Sequence, residues 1–150
     1  MSVAMNDNSG IFFIYGYGGI GKTFLYRTLS AVIQSKEDIM PAVASSVIVS
    51  LLLPGGRTAH SRFCIPLNVN EHTYCNIKPS HLDELLAAIW DGAPIVHKYC
   101  FGALDISLKD VLRSYNTQSA NLPFEEKVVV LGGDFRQILP VIPYGMRQDI

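Results

Sequence analysis

The sequence lacks the cysteine patterns of a disulfide-stapled or zinc-stabilised protein. Its three cysteines are Cys64, Cys75 and Cys100. An odd count without a C-x-x-C pair argues against a disulfide framework or a zinc ribbon. His72 and Cys75 lie close in sequence, but no four-ligand zinc set accompanies them. We therefore interpret the cysteines as reduced thiols of an intracellular protein.

An excess of positive charge is also missing. The formal net charge is −1, whereas a domain that grips nucleic acid over its whole surface is basic. Any contact with nucleic acid must therefore come from a local patch of the surface.

No segment of the sequence is suited to a membrane or to secretion. The longest apolar region, residues 42–53, is shorter than the roughly 18 residues that span a bilayer. Residues 1–9 are polar and lack the basic start and apolar core of a signal peptide. We expect a soluble, intracellular protein with no membrane partner.

The chain has enough apolar residues for one folded domain. It contains 150 residues, of which 49% are hydrophobic, and a chain of this size buries a substantial core. We expect residues 1–10 to be a flexible N-terminus and residues 11–150 to form a single domain.

One glycine-rich stretch carries a recognisable chemistry. Residues 16–23, GYGGIGKT, fit the phosphate-loop pattern G-x-x-x-x-G-K-[ST] between a predicted buried strand (11–15) and a predicted helix. Its glycines let backbone N–H groups converge on phosphate oxygens at the positive end of the helix. Lys22 would reach the outer phosphates, and the Thr23 hydroxyl would bind Mg²⁺. The predicted nucleotide-binding residues are Gly16, Gly18, Gly19, Gly21, Lys22 and Thr23.

Alternating strands and helices are predicted for the first half of the chain. The helix after the loop should reach about Gln34 and bury an apolar face. That face comprises Leu25, Leu29, Val32 and Ile33. A second strand is predicted at residues 39–44, followed by a short helix that Ser45 or Ser46 caps and that continues to Leu53.

The second half of the chain repeats this alternation. A helix at residues 81–88 overlaps a strand at residues 87–91, which ends in Asp91. A further helix is predicted at residues 99–112 and a strand at 127–132. The apolar stripe of that helix comprises Phe101, Leu104, Leu108, Val111 and Leu112. Irregular segments are predicted at residues 67–80 and 116–123.

This alternation predicts a parallel sheet with helices on both faces. Ligands of such sheets bind at the carboxyl ends of the strands. The phosphate loop, Asp91 and residues 134–137 all follow predicted strands, so we expect them to converge on one site.

Residues 57–63, RTAHSRF, combine two arginines, a histidine, two hydroxyls and one aromatic ring without an acid. This composition suits the phosphates and bases of a single strand of nucleic acid. The alternative is a solvated loop with Phe63 in the core, and short basic stretches on their own favour that alternative.

Four segments in order resemble the motifs of the petite-integration-frequency (Pif-type) DNA helicases, and most closely those of the Helitron-like branch. They are residues 16–29, 51–63 (LLLPGGRTAHSRF), 90–94 (WDGAP) and 131–140 (LGGDFRQILP). The resemblance implies a three-layer α/β P-loop NTPase fold: the first, RecA-like motor domain of a superfamily 1 helicase. It also implies 5′-to-3′ polarity, dependence on ATP and Mg²⁺, and single-stranded or forked DNA as partner. Monomeric state, nuclear or mitochondrial location, and roles in DNA repair, recombination and telomere maintenance follow from the same resemblance.

The resemblance also implies roles for single residues. Lys22 and Thr23 would bind the phosphates and Mg²⁺, Asp91 would orient Mg²⁺, and Gln137 would sense the γ-phosphate. Thr58, His60 and Ser61 match a segment that touches the single strand, which reverses the preference for a solvated loop at residues 57–63.

The departures from the family pattern predict impaired catalysis. The family has Asp-Glu-Ala-Pro where this chain has Asp91-Gly92-Ala93-Pro94, so the glutamate that activates the attacking water is missing. A positioned general base contributes about 10²–10⁴ in rate. Ile20 replaces a threonine of the loop, which is tolerated because the loop works through backbone N–H groups.

Two further departures concern segments of chain. Residues 80–91 look several residues short, so the strand that carries Asp91 is expected to be poorly formed or shifted. The upstream segment that holds the adenine and the second motor domain, with its arginine, are expected to be absent.

Three functions are compatible with these features. The chain is an ATP-dependent helicase motor domain, a non-catalytic nucleotide-binding remnant of a transposon-derived helicase, or a P-loop kinase or GTPase. The third is disfavoured because no guanine-recognition motif or phosphate-acceptor lid is visible.

Overall fold

All strands of the described chain run parallel in one sheet. The computed structural model describes residues 10–35, 40–78, 87–112 and 123–136. The sheet has five strands in the order β1-β5-β4-β2-β3, each paired in parallel with its neighbour. The strands are β1 (Gly10–Tyr15), β2 (Ala42–Ala44), β3 (Arg57–Thr58), β4 (Ala87–Asp91) and β5 (Val128–Gly133). The predicted parallel sheet is confirmed.

Helices connect these strands. They are α1 (Lys22–Gln34), α2 (Val47–Ser50), α3 (Ala59–Phe63) and α4 (Lys98–Leu112), with 3₁₀ turns at Ala93–Ile95 and Pro123–Glu126. The long helix α1 ends at Gln34, as predicted, and α4 begins one residue before its predicted start and ends at its predicted limit. The short helix α2 ends at Ser50 rather than Leu53, and Ser46 is its cap because its hydroxyl accepts from the Val49 N–H.

Apolar side chains on both faces of the sheet produce a three-layer arrangement. Ala88 and Trp90 of β4 join a core with residues of α3 and α4. Ala87 and Ile89 alternate with them and pack on the other face, with residues of α1. This period of two is what a strand buried on both faces requires, and the expected three-layer α/β fold is confirmed.

The strand that carries Asp91 is well formed, and the expectation of a poor or shifted strand is wrong. All five residues of β4 are buried. The strand pairs with β2 on one side and β5 on the other, so its backbone hydrogen bonds are satisfied on both sides. Ala87 and Ala88 belong to this strand rather than to the predicted helix, and residues 81–86 lie outside the described part.

The strand before the phosphate loop differs from its prediction. It forms where expected, starting at Gly10, but Phe12 and Tyr15 are 51% and 52% exposed rather than buried. Within the described residues, β1 pairs only with β5 and lies at the edge of the sheet. An apolar run predicts a strand, but its burial depends on neighbours that the run does not specify.

The buried face of α1 is also shifted. Val32 is 42% exposed, whereas Tyr26 and Ser30 are buried. Leu29 and Ile33 pack against the core as predicted. The buried face therefore includes Tyr26, whose hydroxyl donates to Asp91.

Residues 57–63 form secondary structure rather than the solvated loop that their composition alone favoured. They comprise β3 and α3, and Thr58 caps α3 by accepting a hydrogen bond from the Ser61 N–H. Phe63 is 1% exposed, which confirms the placement of its ring in the core.

The remaining predictions concern the irregular segments, the cysteines and membrane-spanning helices. Residues 67–78 contain no helix or strand, as expected. Residues 1–9 and 116–122 lie outside the described part. The three cysteines are free, with Cys75 and Cys100 buried, and burial raises the pKa of the Cys75 thiol to about 11. In the part of the chain that the structure describes, no helix has the length and apolar character needed to cross a membrane.

Candidate functional site

The phosphate loop joins β1 to α1 at the carboxyl edge of the sheet. The Gly16 N–H donates to the Gly133 carbonyl at 3.1 Å, which ties the start of the loop to the end of β5. Gly21 has φ 88° and precedes the first residue of α1, a left-handed conformation that favours glycine. The N-terminus of α1 therefore begins inside the loop, where its partial positive charge attracts an anion.

The side chains of the loop close on its own backbone. Lys22 Nζ donates to the carbonyl oxygens of Gly16 and Tyr17. The Ile20 side chain crosses Gly16 so closely that a Cβ there would lie 1.7 Å from Ile20 Cδ1. A side chain at position 16 would therefore force the half-exposed Ile20 side chain to move.

The loop forms one wall of a cleft of about 370 Å³. Lys22 and Thr23 line it together with Asp91 from the end of β4. The sequence predicted this convergence, and parallel strands explain it, because their carboxyl ends meet at one edge. Gly133 brings the end of β5 to the same cleft. Residues 134–136, which were expected to converge there, are not among the residues that line the cleft, and Gln137 lies outside the described residues.

The Asp91 carboxylate is held by two donors. It is 9% exposed, and its Oδ1 accepts hydrogen bonds from Tyr26 OH at 3.2 Å and from the Gly92 N–H at 3.0 Å. Burial, and then the negative charge of Asp91, raise the pKa of the Tyr26 hydroxyl. Tyr26 therefore stays protonated and remains a donor.

Ser45 was missed as a site residue, because the sequence suggested only a helix cap. It lines the cleft, and its Oγ lies 2.7 Å from the Gly92 carbonyl oxygen and 3.1 Å from that of Asp91. Trp90 Nε1 donates to Ser45 Oγ at 3.1 Å. Ser45 therefore fixes the backbone at the end of β4, and its position directly after a strand was the available signal.

Gly92, which stands where the family has glutamate, adopts a backbone conformation suited to glycine. Its φ is 74°, in the left-handed region that costs other L-residues roughly 1–2 kcal/mol. A Cβ at this position would lie 3.2 Å from both Cβ and Oγ of Ser45. The sequence lacks a glutamate at this position, and the backbone conformation of the site also disfavours one.

The predicted DNA-contacting segment lies on the same edge of the sheet. Ala44 of β2 is in register with Asp91 on one side and with Thr58 on the other. Because neighbouring strands are about 4.8 Å apart, Thr58 lies about 10 Å from Asp91 along the edge.

The three residues of this segment differ in their surroundings. Thr58 Oγ1 accepts from the Ser61 N–H at 3.2 Å, so Thr58 orders the segment. His60 is half-buried, with Nε2 3.8 Å from Cys100 Sγ. Ser61 is exposed, as are Arg57 and Arg62, so two positive charges of the segment face solvent. Arg62 lies toward the start of β2, where it lines a separate pocket with Ala42.

Two side chains in the cleft carry oxygen atoms of the kind that Mg²⁺ binds. The Thr23 hydroxyl and the Asp91 carboxylate line the same cleft, and Mg²⁺ binds to one or two protein oxygens plus phosphates and water. No group of three or more His, Cys, Asp or Glu side chains suited to a metal occurs among the described residues. His72 is exposed, and its Nε2 lies 3.3 Å from Glu71 Oε1.

Fold and cleft together define a class of protein. A three-layer parallel sheet, with a lysine- and threonine-ended glycine loop between β1 and α1, is the arrangement of a RecA-like P-loop NTPase. Within this class, the chain belongs to the PIF1-like helicase family, whose family model matches residues 1–150.

Two curated relatives support this membership. The chain is 31% identical over 138 residues to the ATP-dependent DNA helicase Pif1 of Bdellovibrio bacteriovorus, covering 90% of this chain and 30% of that protein. It is 26% identical over 136 residues to the ATP-dependent DNA helicase PIF4 of Trypanosoma brucei brucei, covering 85% of this chain and 16% of that protein. The chain thus spans less than a third of the length of either relative.

Solved structures match the fold. A Bacteroides Pif1 in complex with ADP-AlF3 and single-stranded DNA has TM-score 0.76 and 24% identity, covering 97% of this chain and 33% of that one. A Bacteroides Pif1 bound to single-stranded DNA has TM-score 0.71 and 26% identity, covering 90% and 30%.

Proposed function

We propose that this chain is the nucleotide-binding motor domain of an ATP-dependent DNA helicase. The observation that carries the proposal is the meeting of Lys22, Thr23 and Asp91 in one cleft, on the sheet edge that also carries Thr58. The relatives named as DNA helicases, and the related structure that holds both a nucleotide analogue and single-stranded DNA, support the same assignment.

Each side chain of the cleft has a role in this proposal. Backbone N–H groups of the loop and the Lys22 ammonium hold the nucleotide phosphates. Thr23 and Asp91 hold Mg²⁺, which neutralises charge on the phosphates when bound. Gln137, as its position in the family motif implies, senses the γ-phosphate and couples it to DNA.

In this proposal, residues 57–63 bind DNA. Thr58, His60 and Ser61 contact the single strand, while the exposed Arg57 and Arg62 attract its phosphates. The proposal extends to 5′-to-3′ movement, action on forks, and monomeric function with a second motor domain that completes the ATP site. Roles in DNA repair, recombination and telomere maintenance, in the nucleus or the mitochondrion, complete it.

A second candidate function rests on Gly92. The chain binds Mg-ATP without hydrolysing it at a useful rate, as a transposon-derived remnant would. The left-handed φ of Gly92 favours this candidate, because it gives the missing glutamate no ready backbone position. Hydrolysis of ATP at an ordinary enzyme rate would exclude this second candidate, and nucleotide binding is common to both.

Replacing Lys22 with alanine should weaken Mg-ATP binding by about 10- to 100-fold, since a hydrogen bond to a charged group contributes about 1.5–3 kcal/mol. Isothermal titration calorimetry on the whole chain measures this. Lys109→Ala is the matched control, because Lys109 pairs with Asp105 on α4, outside the cleft. Equal affinities for the wild type and Lys22→Ala would contradict the nucleotide site, and no binding by either would overturn both candidate functions.

Single-stranded DNA should bind less tightly to the double variant Arg57→Ala/Arg62→Ala. For each lost phosphate contact, the negative slope of log K against log salt should become shallower by about 0.7. Fluorescence anisotropy of a labelled oligothymidine across a salt series measures both quantities, with Lys109→Ala again as control. A double variant with the wild-type affinity and slope would remove these arginines from the proposed DNA interface.

A further inference from the structure

The most completely buried side chain of α1 is a tyrosine that reaches the cleft. Tyr26 has 0% exposure, and its hydroxyl donates to Asp91 Oδ1 at 3.2 Å. The two residues are 65 positions apart in sequence. A phenylalanine would fill the same space, so packing alone does not require the hydroxyl.

The neighbouring strand is shaped around this hydroxyl. A Cβ at Gly132 of β5 would lie 1.6 Å from Tyr26 OH and 3.1 Å from Asp91 Oδ1. Gly132 is in register with Asp91 across the β4–β5 pair. Only a residue without a side chain leaves room for the tyrosine to reach the carboxylate, so three elements meet in one contact.

Two hydrogen-bond donors among the described residues bind the same oxygen of the Asp91 carboxylate. The Tyr26 hydroxyl and the Gly92 N–H each reach Asp91 Oδ1. This pair of bonds restricts rotation of the carboxylate and leaves its second oxygen, Oδ2, as the acceptor for a ligand in the cleft. Partners of this kind orient the groups that serve a metal.

We infer that Tyr26 is a positioning residue, which holds the Asp91 carboxylate in the orientation that serves Mg²⁺ in the nucleotide complex. The inference rests on the proposed function, because it concerns the metal of the same cleft. Tyr26 touches neither nucleotide nor metal in this role. It acts through Asp91 and links the helix that follows the phosphate loop to the strand that carries the metal-orienting acid.

The test is a Mg²⁺ titration of ATP binding by the wild type and Tyr26→Phe, with a parallel titration of ATP in EDTA. Loss of a group that orients a metal ligand costs about 10- to 100-fold in metal affinity. We expect the Mg²⁺ concentration for half-maximal binding to rise at least about tenfold in Tyr26→Phe. Metal-free binding in EDTA should not change, because the hydroxyl acts through Asp91 and not on the nucleotide itself.

Two further variants separate positioning from packing. Ile33→Ala removes a side chain of α1 that packs against the same core as Tyr26 but leaves both donors to Asp91 in place. It should lower stability without moving the Mg²⁺ midpoint. In an Asp91→Asn background, Tyr26→Phe should cause no further shift, because the carboxylate that it orients is gone.

The outcomes are distinct. A selective rise of the Mg²⁺ midpoint in Tyr26→Phe supports the inference. An unchanged midpoint overturns it, as does an equal loss of binding with and without Mg²⁺. A wild-type chain that binds no nucleotide overturns the proposed function itself, and the inference falls with it.

Discussion

Wild-type protein saturated with Mg-ATP and single-stranded DNA should release phosphate far more slowly than about 1 s⁻¹, the low end of ordinary enzyme turnover. The reason is Gly92, which supplies no carboxylate to activate water, and a positioned base contributes about 10²–10⁴ in rate. A phosphate-release assay under single-strand stimulation measures the rate. Turnover of 1 s⁻¹ or more would show that another group performs this step.

The Gly92→Glu variant should hydrolyse ATP at a rate within about tenfold of the wild-type rate. This change is well short of the acceleration of about 10²–10⁴ that a positioned base supplies. Asp91 lines the cleft, but the new side chain starts from φ 74° and its Cβ would lie 3.2 Å from Ser45. Gly92→Asn is the matched control, since asparagine tolerates this conformation and cannot act as the base. Full recovery of hydrolysis in Gly92→Glu alone would contradict this backbone explanation.

Gly132→Ala should lower the free energy of unfolding by about 1–3 kcal/mol, the usual cost of overpacking a core. The added methyl would lie 1.6 Å from Tyr26 OH, so the tyrosine or the strand must move. In a Tyr26→Phe background the cost should be smaller, because the closest atom is gone and the next, Cζ, lies at 2.8 Å. Urea unfolding followed by the fluorescence of the buried Trp90, the single tryptophan, measures these free energies.

Gly102→Ala is the control for this series. It is also a glycine-to-alanine change, but a Cβ at Gly102 meets nothing within 4 Å, and in a helix alanine is favoured over glycine by about 1 kcal/mol. It should therefore be neutral or stabilising. Strictly additive effects of Gly132→Ala and Tyr26→Phe would contradict the close contact between the two residues.

Much of the fold could be predicted because its signals are local. The limits of α1, α4 and β5 follow from apolar periodicity, and the phosphate loop follows from the spacing of its glycines, lysine and threonine. The convergence of Thr23 and Asp91 followed from one general property of parallel sheets, the meeting of their carboxyl ends. These predictions needed no knowledge of which side chains touch.

The errors have a common physical cause. Residues 57–63 have too few residues for periodicity to indicate β3 and α3, and Phe63 was placed correctly only because it is a large apolar side chain. The exposure of Phe12 and Tyr15 depends on what pairs with β1. The strand β4 forms because β2 and β5 satisfy its backbone hydrogen bonds on both sides. The length of the segment before β4 carries no information about this pairing.

The sequence by itself determined that this chain carries a phosphate loop on a parallel α/β sheet, that it resembles a helicase motor, and that a glycine stands where a general base is expected. Only the tertiary structure decided how the acid of that motif is held. The bonds from Tyr26 and Ser45 to the end of β4 join residues 65 and 46 positions apart. Such contacts depend on the packing of α1 and β2 against the sheet, and no local pattern of residues encodes that packing.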